Sequence, residues 1–222
     1  MVASRKGARC LTSCDPPDDL SIELGEIAGS EMLWRPRPDP HCRALQAVGN
    51  PQPGSLPVFL NVRAVEAMFS DAETHEPMET GGILVGSPSS DESGHYLRIV
   101  DAIPVGDAPR EADRLTFTQA AWLAMLARRE ALYPDEQVAG WYHTHPGMRV
   151  FLSEPDLLIH RAFFSRPSDI AVVLDLPRRE WGIFAWHGDC LELTRGFYLY
   201  GDAPDDGAGL GAILGRFAAR TG

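Results

Sequence analysis

Two histidines one residue apart, His143 and His145, close the run Gln137-Val138-Ala139-Gly140-Trp141-Tyr142 and are followed by Pro146-Gly147. The run reads as a strand, and side chains at i and i+2 of a strand leave from the same face. Both imidazoles can therefore converge on one point, where a purely structural core would have to satisfy two polar rings together. A short loop later come Ser153 and Asp156, spaced S-x-x-D at the expected start of a helix. Two imidazoles and one carboxylate suit zinc with its fourth position open to water. Ser153 and Asp156 fit a capping box equally well, with Ser153 as N-cap, Pro155 in the first turn and Asp156 at N3. The two roles are compatible, because a carboxylate has two oxygens.

Hydrolysis at such a site also needs a base. Zinc lowers the pKa of bound water from about 15.7 to about 7, and a nearby carboxylate must take and later deliver the proton. Glu79 is the leading choice. It opens Glu79-Thr80-Gly81-Gly82-Ile83-Leu84-Val85-Gly86, which reads as a buried strand, where an unpaired carboxylate is costly. The competing reading is a surface glutamate just outside the strand, and Glu76 in the Pro77 turn is a weaker rival base. His160 lies four residues after Asp156, on the same helix face. It either holds Asp156 from behind or packs. His41, His75, His95 and His187 have no motif context, and Trp141, Phe184 and Trp186 fit core strands.

The elements that must position these residues begin with Val58-Phe59-Leu60 as a strand. Asn61 then suits an N-cap for an amphipathic helix to about Glu73, built on Val65, Met68, Phe69 and Ala72. The strand from Glu79 and a second over His95 to Ile103 form a hairpin across a polar turn. A polar loop over 104–114 and a short strand over 115–117 lead to Thr118, the cap of a helix to about Leu132. After the histidine strand, a helix from Glu154 to about Phe164 packs through Leu157, Leu158, Ala162 and Phe163. Strands over 170–174, 181–186 and 190–200 follow, then a linker and a helix near 210–220. This order describes a mixed α/β (α+β) domain, a central mixed sheet flanked by helices.

Composition sets limits on function. The 222 residues hold one good-sized domain with an extension, and 44% hydrophobic and 23% charged residues are ordinary for a globular chain. A net charge of −11 argues against a nucleic-acid partner, whose footprint is basic. No apolar run is long enough for a membrane span, and no apolar stretch after Arg5, Lys6 and Arg9 makes a secretory signal. Cys10, Cys14, Cys42 and Cys190 lack paired C-x-x-C spacing, so reduced thiols in the cytoplasm are expected. Residues 1–55 are rich in proline and read as an extension or linker, 56–202 as the domain, and 203–222 as a tail with a helix.

Glu79-x-x-Gly82-x-Leu84-x-Gly86, followed by His143-x-His145-Pro146 and Ser153-x-x-Asp156, resembles the JAMM motif of MPN-domain (Mov34/PAD-1-like) metallopeptidases. The resemblance covers roughly residues 57–200, and every position of the E…HxHx7SxxD signature is present. It implies a cytidine-deaminase-like fold binding one Zn2+ per chain through His143, His145 and Asp156, with water as fourth ligand. Glu79 would deprotonate that water, and Ser153 would stabilise the tetrahedral oxyanion. The implied activity is a zinc isopeptidase or peptidase acting after the C-terminus of a ubiquitin-like protein. The helix after Asp156 runs into Pro167-Ser168-Asp169-Ile170, leaving little room for the second insertion of deubiquitinating members. A simpler prokaryote-like enzyme acting on a ubiquitin-like or sulfur-carrier protein is expected. The other readings are removal of an amino acid from a sulfur-carrier protein, and a non-catalytic MPN scaffold. RadC relatives share the pattern, but their helix-hairpin-helix region is not evident in residues 1–55.

Overall fold

A computed structural model describes residues 32–38, 45–106, 118–202, 211–212 and 214–222. The expected strand over 115–117 lies outside these residues, as do Cys10, Cys14 and Cys42. The elements are β1 (Leu33–Trp34), β2 (Gln46–Gly49), β3 (Val58–Asn61), α1 (Val62–His75), β4 (Gly81–Asp91), β5 (Gly94–Pro104), α2 (Gln119–Leu132), β6 (Gln137–Thr144) and α3 (Glu154–Phe163), followed by β7 (Ile170–Asp175), β8 (Glu180–His187), β9 (Cys190–Leu193), β10 (Gly196–Tyr200) and β11 (Ala218–Arg220). The expected caps are in place. Asn61 accepts from the Arg63 amide at 2.9 Å, Thr118 caps α2 through the Ala121 amide, and Ser153 caps α3. No helix among the described residues is long and apolar enough to cross a membrane.

The strands form one mixed sheet in the order β11-β8-β7-β6-β4-β5-β3-β10-β2, with β1 added on β4 and β9 on β8. The sheet curls until Thr221, just past β11, lies against Gly49 of β2. Its inner face packs on α1 through Val65, Met68 and Phe69, together with Leu84, Tyr142, Val172 and Trp181. On the other face Ala121 and Met125 of α2 meet Ile83 and Ile103, while Phe164 at the end of α3 meets Trp141 and Val173. A mixed α/β domain with helices on a central sheet is thus what the structure shows.

Three local expectations need correction. The strand read over 190–200 breaks at Thr194-Arg195 into β9 and β10, which pair with β8 and with β2 and β3 respectively. The helix expected to reach Arg220 gives way at Phe217, and β11 pairs with β8 in parallel. That edge offers unpaired backbone groups that a short strand satisfies better than a frayed helix end. Cys190 is disulfide-bonded, against the expectation of reduced thiols.

The strand that carries the histidines is bulged. Leu84 pairs with Gly140 but the next residue, Val85, pairs with Val138, so Ala139 is the extra residue. The bulge shifts the alternation by one. Val138 and Trp141, three apart, pack in the cluster beneath α3, whereas Ala139 and Tyr142 pack in the core with α1. Gly140 makes this possible: its φ is +148°, and a Cβ there would lie 2.1 Å from the Ile170 carbonyl oxygen. Gly140→Ala is therefore expected to destabilise the fold by about 3 kcal/mol or more. Chemical denaturation measures this; a wild-type midpoint would contradict it.

Candidate metal centre

Strand β6 ends in His143 and Thr144, and the Leu174 carbonyl takes the His145 amide at 2.8 Å, extending the run on which both rings share a face. The chain then loops over and starts α3, the crossover between the parallel strands β6 and β7. Asp156 stands at N3 of α3, in the first turn, where the helix dipole favours an anion. Its side chain reaches the two rings. The His143 and His145 Nε2 atoms are 3.2 Å apart, and each is 3.4 Å from Asp156 Oδ2. All three residues are buried. Together they form a cluster able to hold a metal ion.

The capping box is also real. Asp156 Oδ2 accepts from the Ser153 amide at 2.7 Å and from the Ser153 hydroxyl at 2.6 Å, and the Asp156 amide donates to that hydroxyl at 3.3 Å. Burial pushes the Asp156 carboxyl up, but hydrogen bonds from the two histidines and Ser153 outweigh it and hold it well below the usual carboxylate range. Burial lowers the pKa of His143, so its ring is neutral and offers a lone pair. Where a cation takes the place of these hydrogen bonds, each imidazole offers it an Nε2 lone pair and Asp156 an anionic oxygen.

The three separations test the fit to zinc. Zinc bound by imidazole nitrogen and carboxylate oxygen at about 2.0–2.1 Å has tetrahedral edges of about 3.3–3.4 Å. Observed edges of 3.2, 3.4 and 3.4 Å outline one face of such a tetrahedron. The donor set and its spacing fit.

Glu79 lies two residues before β4 rather than in it, as the surface reading had it, yet it is buried, at 7% exposure. Glu76 is exposed, which removes it as a rival. Gly81 pairs with His143, and the antiparallel register continues through Thr80, whose amide donates to Thr144 Oγ1 and whose carbonyl accepts from the Thr144 amide, both at 2.9 Å. Glu79 immediately precedes Thr80 in the chain. Gly81 adds no side chain beside His143. Asp71 of α1 ties both halves together: its Oδ2 accepts from Thr80 Oγ1 at 2.8 Å and from the Tyr142 hydroxyl at 2.9 Å. Asp71 also meets His75 on its own helix at 3.0 Å, but Thr80 and Tyr142 lie beyond the reach of any local pattern.

The loop between Pro146 and Ser153 is anchored by Asp175 at the end of β7, another residue sequence reasoning missed. This fully buried carboxylate accepts from the Gly147 amide at 2.9 Å and the Arg149 amide at 2.7 Å. Both residues have left-handed backbones, φ +75° and +82°, which is costly for Arg149. The loop leaves Met148 and Phe151 exposed, with Phe151 against the His145 ring at 4.7 Å between centroids.

The packing face expected for α3 holds only in part: Phe163 packs on the cluster around Trp141 and Leu157 is half-buried. Leu158 and Ala162 are exposed, whereas Asp156 and His160 are the buried residues of the helix. An apolar stripe is the usual inward face, but here the inward stripe carries the polar groups of the site. His160 is wholly buried, and its Nδ1 accepts from Trp141 Nε1 at 3.0 Å. It makes no hydrogen bond to Asp156 among the described residues. The structure sets the His160 ring against Trp141.

Fold and site define a mixed α/β domain built around a buried His-His-Asp cluster able to hold a metal ion. The chain belongs to the prokaryotic homologues of the JAB domain, whose family model matches residues 61–183. It is 27% identical over 126 residues to the NAD(+) hydrolase TcpA of Theionarchaea archaeon, a match covering 56% of this chain and 36% of that protein. It is 25% identical over 119 residues to the ubiquitin carboxyl-terminal hydrolase RPN11 of Saccharomyces cerevisiae, covering 53% of this chain and 38% of that one. The 26S proteasome non-ATPase regulatory subunit 14 of Dictyostelium discoideum gives the same 25% over 119 residues, again 53% and 38%. The chain thus matches well under half the length of these relatives. The solution structure of protein DSY2949 from Desulfitobacterium hafniense has a TM-score of 0.48 at 18% identity, covering 65% of this chain and 92% of that one.

Two outcomes follow from this geometry. Asp175→Ala leaves the Gly147 and Arg149 amides without their acceptor, an expected cost of about 1–3 kcal/mol. Trypsin should then cut after Arg149 faster than in wild type; equal cutting rates would count against the anchor. Burial also holds the His160 pKa down at about 4, against 6.5 for an ordinary histidine. The unfolded chain takes up this proton below about pH 6.5 while the folded one does not. The metal-free fold should therefore lose up to about 3 kcal/mol from this group as pH falls from about 6.5 to 4. Denaturant titrations along that range should show a shallower slope for His160→Leu; an unchanged slope would assign the loss elsewhere.

Proposed function

We propose that this chain is a zinc-dependent peptidase or isopeptidase that hydrolyses the bond after the C-terminus of a ubiquitin-like protein. The observation that carries the reading is the triangle of 3.2, 3.4 and 3.4 Å edges formed by His143 Nε2, His145 Nε2 and Asp156 Oδ2. A buried three-donor face with N and O ligands is the pattern of a hydrolytic zinc site with its fourth position open. Family membership and the hydrolase names of relatives support the reaction class, and the yeast relative's printed action on ubiquitin supports the substrate class.

In this reading His143, His145 and Asp156 hold the zinc, which when bound supplies a Lewis acid for the scissile carbonyl and an acidified water. Glu79, buried next to the Thr80–Thr144 pair, takes the proton of the attacking water and delivers it to the leaving nitrogen. The Ser153 hydroxyl, which donates to Asp156 Oδ2 in the resting arrangement, turns to donate to the developing oxyanion. Met148 and Phe151 offer exposed apolar contact to the extended segment that precedes the scissile bond.

The test uses purified protein and a ubiquitin-like protein fused at its C-terminus to a reporter. Glu79→Gln should retain one zinc per chain by elemental analysis while cleavage falls by at least about a hundredfold, the usual scale of a lost general base. His143→Ala should lose the metal and the activity together. Cleavage by Glu79→Gln at the wild-type rate would remove Glu79 from its role, and a wild-type protein that never holds metal would point to a scaffold.

A further inference from the structure

Metal-binding histidines ordinarily donate their second ring nitrogen to a carboxylate or carbonyl, which fixes the plane of the ring. Here Nδ1 of both His143 and His145 is buried and has no hydrogen-bond partner among the described residues. Another feature holds at least one of them. The Trp141 ring lies flat on the His143 ring, 4.4 Å between centroids and 13° between planes. Trp141, His143 and His145 alternate along one face of the chain, and the Phe164 ring backs Trp141 at 6.0 Å and 8°.

Helix α3 presents a matching stripe. Asp156, His160 and Phe164 recur every four residues, so they line one side of the helix and its C-cap. Asp156 meets the two histidines, His160 takes the Trp141 indole N–H at 3.0 Å, and Phe164 stacks on the same indole. The Trp186 indole donates to the Phe164 carbonyl at 3.1 Å, at the C-cap and about two turns beyond Asp156. One hydrogen bond between buried rings therefore sets both the indole plane under His143 and the register of the helix that carries Asp156. His160 also keeps its Nε2 buried without a partner among the described residues, an arrangement that costs about 1–3 kcal/mol. An apolar side chain would pack there without that cost.

We propose that Trp141, locked by His160, is the positioning device for the metal site: stacking replaces the missing hydrogen bond to His143, and the indole–imidazole bond sets the reach of Asp156. This rests on the reading of His143, His145 and Asp156 as metal ligands. Neither Trp141 nor His160 touches the metal or the substrate.

The test titrates metal-free protein with Co2+, following its visible absorption, and then with zinc in competition. His160→Leu and Trp141→Leu should each weaken metal binding by about 10–100-fold and alter the cobalt spectrum. The double variant should be no weaker than the worse single one, because both act through one device. Trp186→Phe is the control: it loses the bond to Phe164 and loosens packing at His160, yet should leave affinity and spectrum near wild type. Trp141→Phe keeps an aromatic face without the N–H. It should fold and bind with intermediate affinity, which covers the case in which the leucine variants do not fold. Folded variants with wild-type cobalt affinity and spectrum would overturn the positioning role while leaving the metal site intact. Losses matched by Trp186→Phe would reduce it to packing. A wild-type protein that takes up neither ion would overturn the metal reading itself.

Discussion

Two imidazoles and a carboxylate meeting within 3.4 Å in a buried site form the arrangement on which the rest of this structure depends. Burying three polar groups together is costly unless they are held in a geometry that satisfies them. The fold therefore holds it from several directions at once. The Ser153 cap fixes the carboxylate, the strand fixes the origins of both rings, and the helix dipole favours the anion at N3. The surrounding scaffold supplies what a free metal-binding peptide would have to gain on binding, which is preorganisation.

That scaffold is a βαβ unit with one irregularity. The bulge at Ala139 moves the residues that follow by one step, so Trp141, His143 and His145 face α3 while Tyr142 turns to Asp71 beneath α1. A regular strand would break one of these relations, because its side chains alternate without exception. Asp71 and Asp175 then serve as buried anchors on either side. One joins the approach to Glu79 with the strand of the histidines; the other pins the loop from His145 to Ser153. Each carboxylate is satisfied by several donors, which is what makes its burial tolerable.

Much of the candidate site was legible because its logic is local. The i, i+2 spacing of the histidines needs only a strand, and S-x-x-D needs only a helix start. The caps at Asn61, Thr118 and Ser153 followed from single residue types in the right place. Less was legible in α3. Its apolar residues pointed to Leu158 and Ala162 as the packing face, because periodicity assumes that the buried stripe is the apolar one. Here the buried stripe carries Asp156 and His160, and their partners lie on a strand that no helical pattern encodes. Gly140 was the available signal for the bulge, since glycine inside a strand often marks one.

The sequence by itself determined the donor types, their spacing along two elements and the alternation of helices and strands, since these depend on the chemistry and period of neighbouring residues. Only the tertiary structure decided that the three donor atoms lie within 3.4 Å of one another, that Glu79 is buried, and that an indole stacks on the His143 ring. It also decided the chain's last strand, where Ala218–Arg220 joins the edge of β8 in place of a helix. The reason is common to all of these: they are contacts between residues far apart in the chain. Their energies depend on distances and angles that a linear pattern does not contain.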